Sequence, residues 1–336
     1  MSGRPFRFGI AFQSNKTPSE YQALADQVDR YGFDVVSVYN DLLFQPALGP
    51  LLLMAPRLRR AQVGAAALNP YTVHPLEIAG QTALLDLVSG GRAYLGLVRG
   101  AWLDRLGIEP VRPRQTLREA VELVRHLLRR DSRAYEGQVF QLAANTCLQY
   151  EPVRPAVPIM IGTWGKETAR VAGQVADEVK IGGSTNGAMV QALRPFIAEG
   201  ARQAERAEDA VGVCLGAVTV VDEDRERARA LARQEVALYL PVVAPLDPST
   251  DPEWLARLRT AERDQGAAGV ADLITDEVLE RFAFAGNPAD VIRQVERIIH
   301  AGAARVEFGT PHGTHPPTAI RLLGEQVLPY FQTSAR

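Results

Sequence analysis

The stretch Leu85-Asp86-Leu87-Val88-Ser89-Gly90-Gly91-Arg92-Ala93-Tyr94-Leu95-Gly96-Leu97 decides the fold class. It predicts the end of an apolar helix, a glycine turn and a short buried strand. Gly90 and Gly91 permit the positive φ at which a helix can stop, and Arg92 can bond the last helical carbonyls or Asp86. The apolar run that follows is typical of a strand buried on both faces of a parallel sheet. The stretch therefore predicts one αβ unit of an α/β protein.

The same alternation of strand and helix continues along most of the chain. After the first strand, Thr17-Pro18-Ser19-Glu20 has an N-cap followed by proline, which predicts a helix start. The predicted strands span residues 6–12, 35–39, 62–68, 93–98, 158–162, 178–182, 211–221 and 305–309. Eight strands that alternate with helices indicate parallel pairing. The predicted fold class is therefore α/β, a (β/α)8 TIM barrel with insertions.

Two segments exceed a minimal barrel, and we interpret residues 1–336 as one domain that carries them as insertions. Residues 134–151 predict a hairpin in which 135–140 turns back toward 147–150. Residues 241–284 begin rich in proline and continue with a helical pattern. Such insertions usually lie at one barrel end and shape the active site. The apolar residues of the longer insertion suggest a partly hydrophobic ligand; they are Leu246, Trp254, Leu255 and Leu258.

Composition limits the possible partners. A net charge of −2 argues against a nucleic acid bound through a basic face. Cys147 and Cys214 are the only cysteines, so we expect a reduced, cytoplasmic protein without a disulfide framework. No signal peptide or apolar run of about eighteen residues is present, so we expect no membrane span. His312 and His315 lack a third ligand at suitable spacing, so we predict a polar loop and no metal.

Candidate catalytic residues follow the predicted strands, because active sites of such barrels lie at the carboxyl ends of the strands. Asn40 and Asp41 follow the second strand, where a carboxylate could act as acid, base or substrate clamp, or form a turn or helix cap. Asn69 could bond the edge of a flavin-like ring, although Asn-Pro is also a turn signal. Arg99 could bind an anion or a ring oxygen, or pair with Asp104.

Two neighbouring loops are candidates for binding a phosphate. Gly162-Thr163-Trp164-Gly165-Lys166 opens a helix, where free N–H groups, glycine and a lysine suit an anion. An ordinary capped helix is the alternative interpretation. Gly182-Gly183-Ser184 after the sixth strand is a second small loop rich in N–H groups. The Walker, G-x-S-x-G and G-x-G-x-x-G patterns are absent, which argues against P-loop, α/β-hydrolase and dinucleotide-fold proteins.

In this order the segments resemble the luciferase-like flavin and deazaflavin oxidoreductases. The similarity is greatest to the coenzyme F420-dependent branch that includes methylenetetrahydromethanopterin reductase, and it extends over nearly the whole chain. The segments that carry it are Tyr31-Gly32-Phe33-Asp34, Asn69-Pro70-Tyr71, Ser89-Gly90-Gly91-Arg92, Glu136-Gly137-x-x-Phe140, Pro158-Ile159-Met160-Ile161-Gly162 and Phe284-Ala285-Gly286-Asn287-Pro288.

The resemblance implies a barrel, usually dimeric, that binds FMN or coenzyme F420 at the carboxyl ends of the strands. It places the cofactor phosphate at Gly165 and Lys166 and at the loop 182–184. It also implies a bulge behind the ring around Ala66-Ala67-Leu68, which in deazaflavin members contains a non-prolyl cis peptide.

The chain departs from the family pattern at positions where relatives have groups that can transfer protons. Leu42 follows Asp41 where many relatives have histidine, and Ala11 replaces a glutamate of the reductase-like branch. Val98-Arg99 replaces the usual glycine-rich end of the fourth strand. The resemblance therefore supports the cofactor class more strongly than any particular substrate.

Three hypotheses follow. The first is an F420-dependent oxidoreductase that transfers a hydride to a C=N, C=C or C=O bond of a small-molecule substrate, with Asp41, Arg99 or a water handling the proton. The second is an FMN-dependent luciferase-like monooxygenase. The third is a catalytically silent barrel that binds the cofactor, which the missing histidine and glutamate suggest.

Overall fold

The computed structural model describes residues 6–334 and contains eleven strands and thirteen α-helices in that range. The strands are β1 (Arg7–Phe12), β2 (Val35–Val38), β3 (Gln62–Ala65), β4 (Leu95–Leu97), β5 (Tyr135–Glu136), β6 (Gln141–Leu142), β7 (Ile159–Gly162), β8 (Glu178–Gly182), β9 (Gly212–Val221), β10 (Ala283–Gly286) and β11 (Arg305–His312). The helices are α1 (Pro18–Tyr31), α2 (Leu48–Met54), α3 (Pro75–Val88), α4 (Pro113–Leu128), α5 (Lys166–Val175), α6 (Gly187–Gln203), α7 (Arg225–Ala237), α8 (Leu240–Val243), α9 (Pro252–Asp272), α10 (Asp276–Phe282), α11 (Pro288–His300), α12 (Pro316–Leu322) and α13 (Leu328–Ser334). Short 3₁₀ turns (Ala55–Arg57, Leu103–Leu106, Ala244–Leu246) and a π-helical segment (Leu323–Val327) complete them.

Eight parallel strands form the barrel, in the order β3-β2-β1-β11-β9-β8-β7-β4. Parallel bridges from Val63 to Ala93 and from Leu68 to Leu97 join the two end strands and close it. These eight are the predicted strands, with ends that shift by a few residues, so the predicted (β/α)8 barrel is confirmed. The strand β10 pairs with the carboxyl half of β9, outside the closed ring, and was not predicted.

The glycine turn after α3 forms as predicted, but its arginine has other partners. Gly90 and Gly91 have φ of 65° and 82°. Arg92 donates to the carbonyls of Ala61 (2.8 Å) and Ala55 (3.1 Å), which precede β3, and not to α3 or to Asp86. The turn reverses the chain toward β4, and this carries the guanidinium away from the helix end. The buried Asp86 instead accepts from Arg154 and from the Ala93 amide.

The first insertion is a hairpin, but a tighter one than predicted. The strand β5 pairs with β6, at Gln141–Leu142, and not with residues 147–150. The Glu119 carboxylate on α4 accepts hydrogen bonds from the amides of residues 138–140 at 2.8 to 2.9 Å. These bonds fix the hairpin turn at residues 138–140, ahead of the predicted return at 147–150, because three backbone donors converge on one buried anion.

The second insertion forms α8, α9, α10 and β10, which pack with α7 around an apolar cluster of their own. Leu258 is fully buried in that cluster, and Trp254 and Leu255 pack against it. The expectation that these side chains line a ligand pocket is therefore wrong for Leu258. The insertion does reach the second predicted loop, because a β-carbon at Gly183 would lie 3.2 Å from Val243 Cγ1 of α8.

The last barrel strand extends to His312, beyond the predicted end at residue 309, and bends at the cis Thr310–Pro311 bond. His312 therefore lies buried in a strand and not in a polar loop. Burial lowers the pKa of His312 to about 4, and its Nε2 lies 3.3 Å from the Phe308 carbonyl oxygen. Among the described helices, none combines the length and apolar composition that crossing a bilayer requires.

Candidate active site

The mouth of the barrel, at the carboxyl ends of the strands, is lined by residues with little or no side chain. A β-carbon at Gly182, the last residue of β8, would meet no atom within 4 Å. A β-carbon at Gly309 of β11 would lie 2.5 Å from the Tyr39 hydroxyl, so glycine is what leaves room for that side chain. The mouth therefore has open space beside β8.

The first predicted phosphate loop is exposed and its helix has no side-chain cap. Gly165 is the N-cap of α5, and no side chain accepts a hydrogen bond from the first turn. By contrast, side chains of Thr17, Asn186 and Asp224 cap α1, α6 and α7. The first N–H groups of α5 are thus left for another acceptor, as the phosphate prediction requires.

The second predicted loop lies next to the first. The Trp164 indole N–H donates to the Gly182 carbonyl at 2.6 Å and links the two loops. Gly183 has φ of 67°, where glycine is favoured. Ser184 is buried, and its hydroxyl lies 3.5 Å from the Arg281 carbonyl oxygen. Of the predicted residues in this loop, Ser184 therefore faces the insertion, whereas Gly182 faces the open mouth.

The bulge that the resemblance implies lies directly after β3. The peptide bond between Ala66 and Ala67 is cis, and Leu68 rejoins the sheet through hydrogen bonds with β4. Asn69 is buried, and its Oδ1 accepts from the amides of Tyr71 (3.1 Å) and Thr72 (3.0 Å). That side-chain oxygen therefore shapes the turn, which matches the turn interpretation of Asn69.

The three predicted catalytic residues occupy different environments. Asp41 is half-buried and its Oδ2 accepts from the Gln13 side chain at 3.0 Å. Asn40 accepts from the Ala47 amide at 2.9 Å and so orders the start of α2. Arg99 is exposed, has no hydrogen bond or ion pair within residues 6–334, and borders a cleft of about 440 Å³ formed by the segment after β4. The alternative Arg99–Asp104 pair does not form.

A buried charged cluster lies below the mouth, inside the barrel. Lys180 on β8 pairs with Glu307 on β11, which also accepts from Arg305 Nη1 at 2.8 Å and from the Ser37 hydroxyl at 2.5 Å. Burial alone would raise the pKa of Glu307, but the charges of Lys180 and Arg305 and the hydrogen bonds from Lys180 and Ser37 lower it to about 2. Glu307 is therefore an anion that the surrounding donors hold in place.

Tyr39 connects this cluster to the mouth. The Lys180 ammonium lies 5.3 Å from the centre of the Tyr39 ring, and the hydroxyl forms no hydrogen bond within residues 6–334. Burial raises the pKa of Tyr39, and the negative charges of Glu307 and Asp41 raise it further. The hydroxyl is therefore protonated and free to donate to a group in the mouth.

The sequence contained a signal for these residues that the predictions did not use. Charged residues stand two apart in two apolar strands, at Glu178 and Lys180 and again at Arg305 and Glu307. Alternate residues of a strand point to the same face, so this spacing indicates a polar barrel interior. Among residues 6–334, no group of three or more His, Cys, Asp or Glu side chains could hold a metal ion.

The mouth of the barrel combines a set of backbone N–H donors that can bind an anion with a set of side chains that can exchange protons or stabilise charge. Helix-terminal N–H groups beside open space can hold the phosphate of a ligand whose flat part enters the mouth. The Tyr39 hydroxyl, the Asp41 carboxylate and the Arg99 guanidinium can donate, exchange or stabilise charge at that ligand or at a second molecule.

The sequence matches one family model over most of its length. The model describes luciferase-like monooxygenases and matches residues 5–305. The 5,10-methylenetetrahydromethanopterin reductase of Archaeoglobus fulgidus is 29% identical over 335 residues, which cover 96% of this chain and 99% of the relative. An F420-dependent glucose-6-phosphate dehydrogenase of Nakamurella multipartita is 27% identical over 345 residues, which cover 98% and 97%.

The fold also matches solved structures. The coenzyme F420-dependent tetrahydromethanopterin reductase from Methanopyrus kandleri superposes with a TM-score of 0.88 at 25% identity, and the match covers 97% of this chain and 99% of that one.

Proposed function

The chain belongs to the luciferase-like monooxygenase family, and from this premise we propose that it is a coenzyme F420-dependent oxidoreductase acting on a small organic molecule. The observation that carries the proposal is the open space at Gly182 beside the uncapped start of α5. A flat ring needs such space, and its phosphate needs unpaired N–H donors. Both lie where the strands of an α/β barrel end.

Different residues of this chain bind the cofactor, transfer the proton and attract the substrate. The N–H groups at Lys166 and Glu167 hold the phosphate, and Gly182 leaves room for the ring. When bound, coenzyme F420 supplies or accepts the hydride at its deazaflavin ring. Reduction of a C=N, C=C or C=O bond also needs a proton at the second atom, which the Tyr39 hydroxyl donates. Asp41, held by Gln13, restores that proton from solvent, and Arg99 attracts a negatively charged group of the substrate.

Direct binding tests the cofactor assignment. We expect the protein to quench the fluorescence of coenzyme F420 saturably and to bind FMN far more weakly. Tight FMN binding without affinity for the deazaflavin would reverse this order and favour the FMN-dependent monooxygenase. Turnover is then measured with 5,10-methylenetetrahydromethanopterin and glucose 6-phosphate, the compounds that the names of the relatives indicate.

Two substitutions separate an active enzyme from a silent cofactor-binding barrel. We expect Tyr39→Phe and Asp41→Ala to lower kcat by about a hundredfold, because general acid–base groups typically contribute at least that factor. Cofactor affinity should stay within about twofold of the wild type, since neither residue holds the phosphate. Tyr135→Phe, which removes a hydroxyl bonded to Glu122 near the first insertion, is the matched control. Unchanged kcat in both variants would contradict these roles.

We also propose a cytoplasmic homodimer. The exposed leucines Leu84 and Leu87 on α3 support self-association, and the resemblance implies a dimer. Cys147 and Cys214 are both free, in keeping with a reducing compartment. Analytical ultracentrifugation tests the oligomeric state.

A further inference from the structure

The upper part of the barrel interior is shaped around the side chains of Lys180 and Tyr39. Such interiors are usually filled by layers of branched apolar side chains. Here glycines stand on two of the strands. A β-carbon at Gly216 of β9 would lie 3.1 Å from Lys180 Cε, and one at Gly309 of β11 would lie 2.5 Å from the Tyr39 hydroxyl. These strands therefore leave space for a lysine and a tyrosine where apolar side chains would ordinarily pack.

Stability alone does not account for the buried charge of Lys180. Its side chain is 10% exposed and pairs with Glu307, which is fully buried. Transfer of two charges out of water costs several kcal/mol per ion, and well-packed apolar residues of similar volume are often at least as stabilising as a buried ion pair. A lysine at this position therefore calls for a role beyond folding.

The Lys180 ammonium contacts a side chain that reaches the mouth. It lies 5.3 Å from the centre of the Tyr39 ring, within the range of a cation–π contact, and Tyr39 is half-buried. The other ionisable groups that face Tyr39 are Glu307 on β11, Asp41 after β2, Tyr239 between α7 and α8, and Tyr94 before β4. All four are acids, so any charge that they carry is negative and opposes loss of the Tyr39 proton. Lys180 supplies positive charge against them.

We propose that Lys180 is a positioning residue for proton transfer: its ammonium group holds the Tyr39 ring at the mouth and stabilises the negative charge that forms on the Tyr39 oxygen. The inference rests on the proposed function and deepens it. During reduction of the substrate the Tyr39 O–H bond breaks, and the electron pair of the substrate double bond takes the proton. The electrons of the O–H bond stay on the phenolate until Asp41 returns a proton from solvent. A cation at the ring favours the phenolate, since opposite charges attract strongly where water is excluded.

The first test measures the acidity of residue 39 in the protein without cofactor. Difluorotyrosine is placed at position 39, because its phenol is more acidic than that of tyrosine, and its pKa is followed by fluorine NMR. We expect Lys180→Met to raise this pKa by about one pH unit or more. Glu307→Gln breaks the same ion pair and should lower the pKa, so disruption of the pair alone cannot produce both results. Arg154→Met removes the cation paired with the buried Asp86 and is the matched control, with no change expected.

A double-mutant cycle connects this contact with the reaction. Lys180→Met should lower kcat about tenfold in the wild-type background and less than about twofold in Tyr39→Phe, because Lys180 acts through the Tyr39 hydroxyl. Lys180→Arg keeps the positive charge and should retain most of the activity. If Lys180→Met does not fold, Lys180→Gln replaces it in both tests, since its amide can still donate a hydrogen bond to Glu307.

The two tests separate this inference from the proposed function. An unchanged pKa of residue 39 in the Lys180 variant, or equal losses of kcat in the two backgrounds, would overturn the inference alone. If the protein neither binds coenzyme F420 nor turns over, the proposed function and the catalytic role of Lys180 fail together.

Discussion

Glu307→Gln should destabilise the protein by about 3–5 kcal/mol, because it leaves Lys180 buried without its counter-charge and Arg305 paired with Glu178 alone. The glutamine keeps nearly the same volume, so the loss reports charge and not a cavity. Urea denaturation followed by circular dichroism measures the change in the free energy of unfolding. Glu325→Gln is the matched control, since it breaks an exposed pair with Arg321 and should cost less than about 0.5 kcal/mol.

The loss of unfolding free energy in Glu307→Gln should depend on pH in a defined direction. The folded pKa of Glu307, about 2, lies below its ordinary value of 4.5. A carboxyl with a lowered folded pKa stabilises the protein above the unfolded pKa, and this contribution disappears as pH falls toward the folded pKa. The wild type and Glu307→Gln should therefore differ most above about pH 5 and converge as the pH falls toward about 2. A difference that stays constant over this range would show that Glu307 acts through its shape and not its charge.

The sequence predicted the barrel well because its signals were local. Apolar strands bounded by glycine or proline, and helix starts such as Thr17-Pro18, depend only on neighbouring residues. At the N-terminus of α1, Thr17 and Glu20 form the reciprocal hydrogen bonds of a capping box. The positive φ at Gly90 and Gly91 follows from the absence of a side chain.

Errors arose where a partner came from a distant part of the chain. Arg92 bonds carbonyls more than thirty residues away, and Glu119 fixes a turn about twenty residues away. Neither contact can be derived from local spacing. Tyr39 was missed for the same reason: its place in the mouth depends on Gly309 from the last strand and Lys180 from the sixth strand of the barrel.

Gly182→Leu should abolish cofactor binding while the protein stays folded. The β-carbon position at Gly182 is open, so a leucine there projects into the space that we assign to the ring. We expect the Kd for coenzyme F420 to rise by about a hundredfold or more, which corresponds to roughly 2.7 kcal/mol of lost binding free energy. Glycine weakens a strand, and the new β-carbon meets no atom within 4 Å, so the free energy of unfolding should change by less than about 1 kcal/mol.

The comparison with a second glycine makes this result specific. Gly49 on α2 is exposed and also has no atom near its β-carbon position, so Gly49→Leu adds the same side chain to open space that we do not assign to the ligand. Fluorescence titration should give wild-type affinity for Gly49→Leu and greatly weakened binding for Gly182→Leu, with thermal melts confirming that both fold. If Gly182→Leu retained full affinity, the ring could not lie beside β8. The open mouth would then need another occupant, because no atom within residues 6–334 lies within 4 Å of the β-carbon position at Gly182.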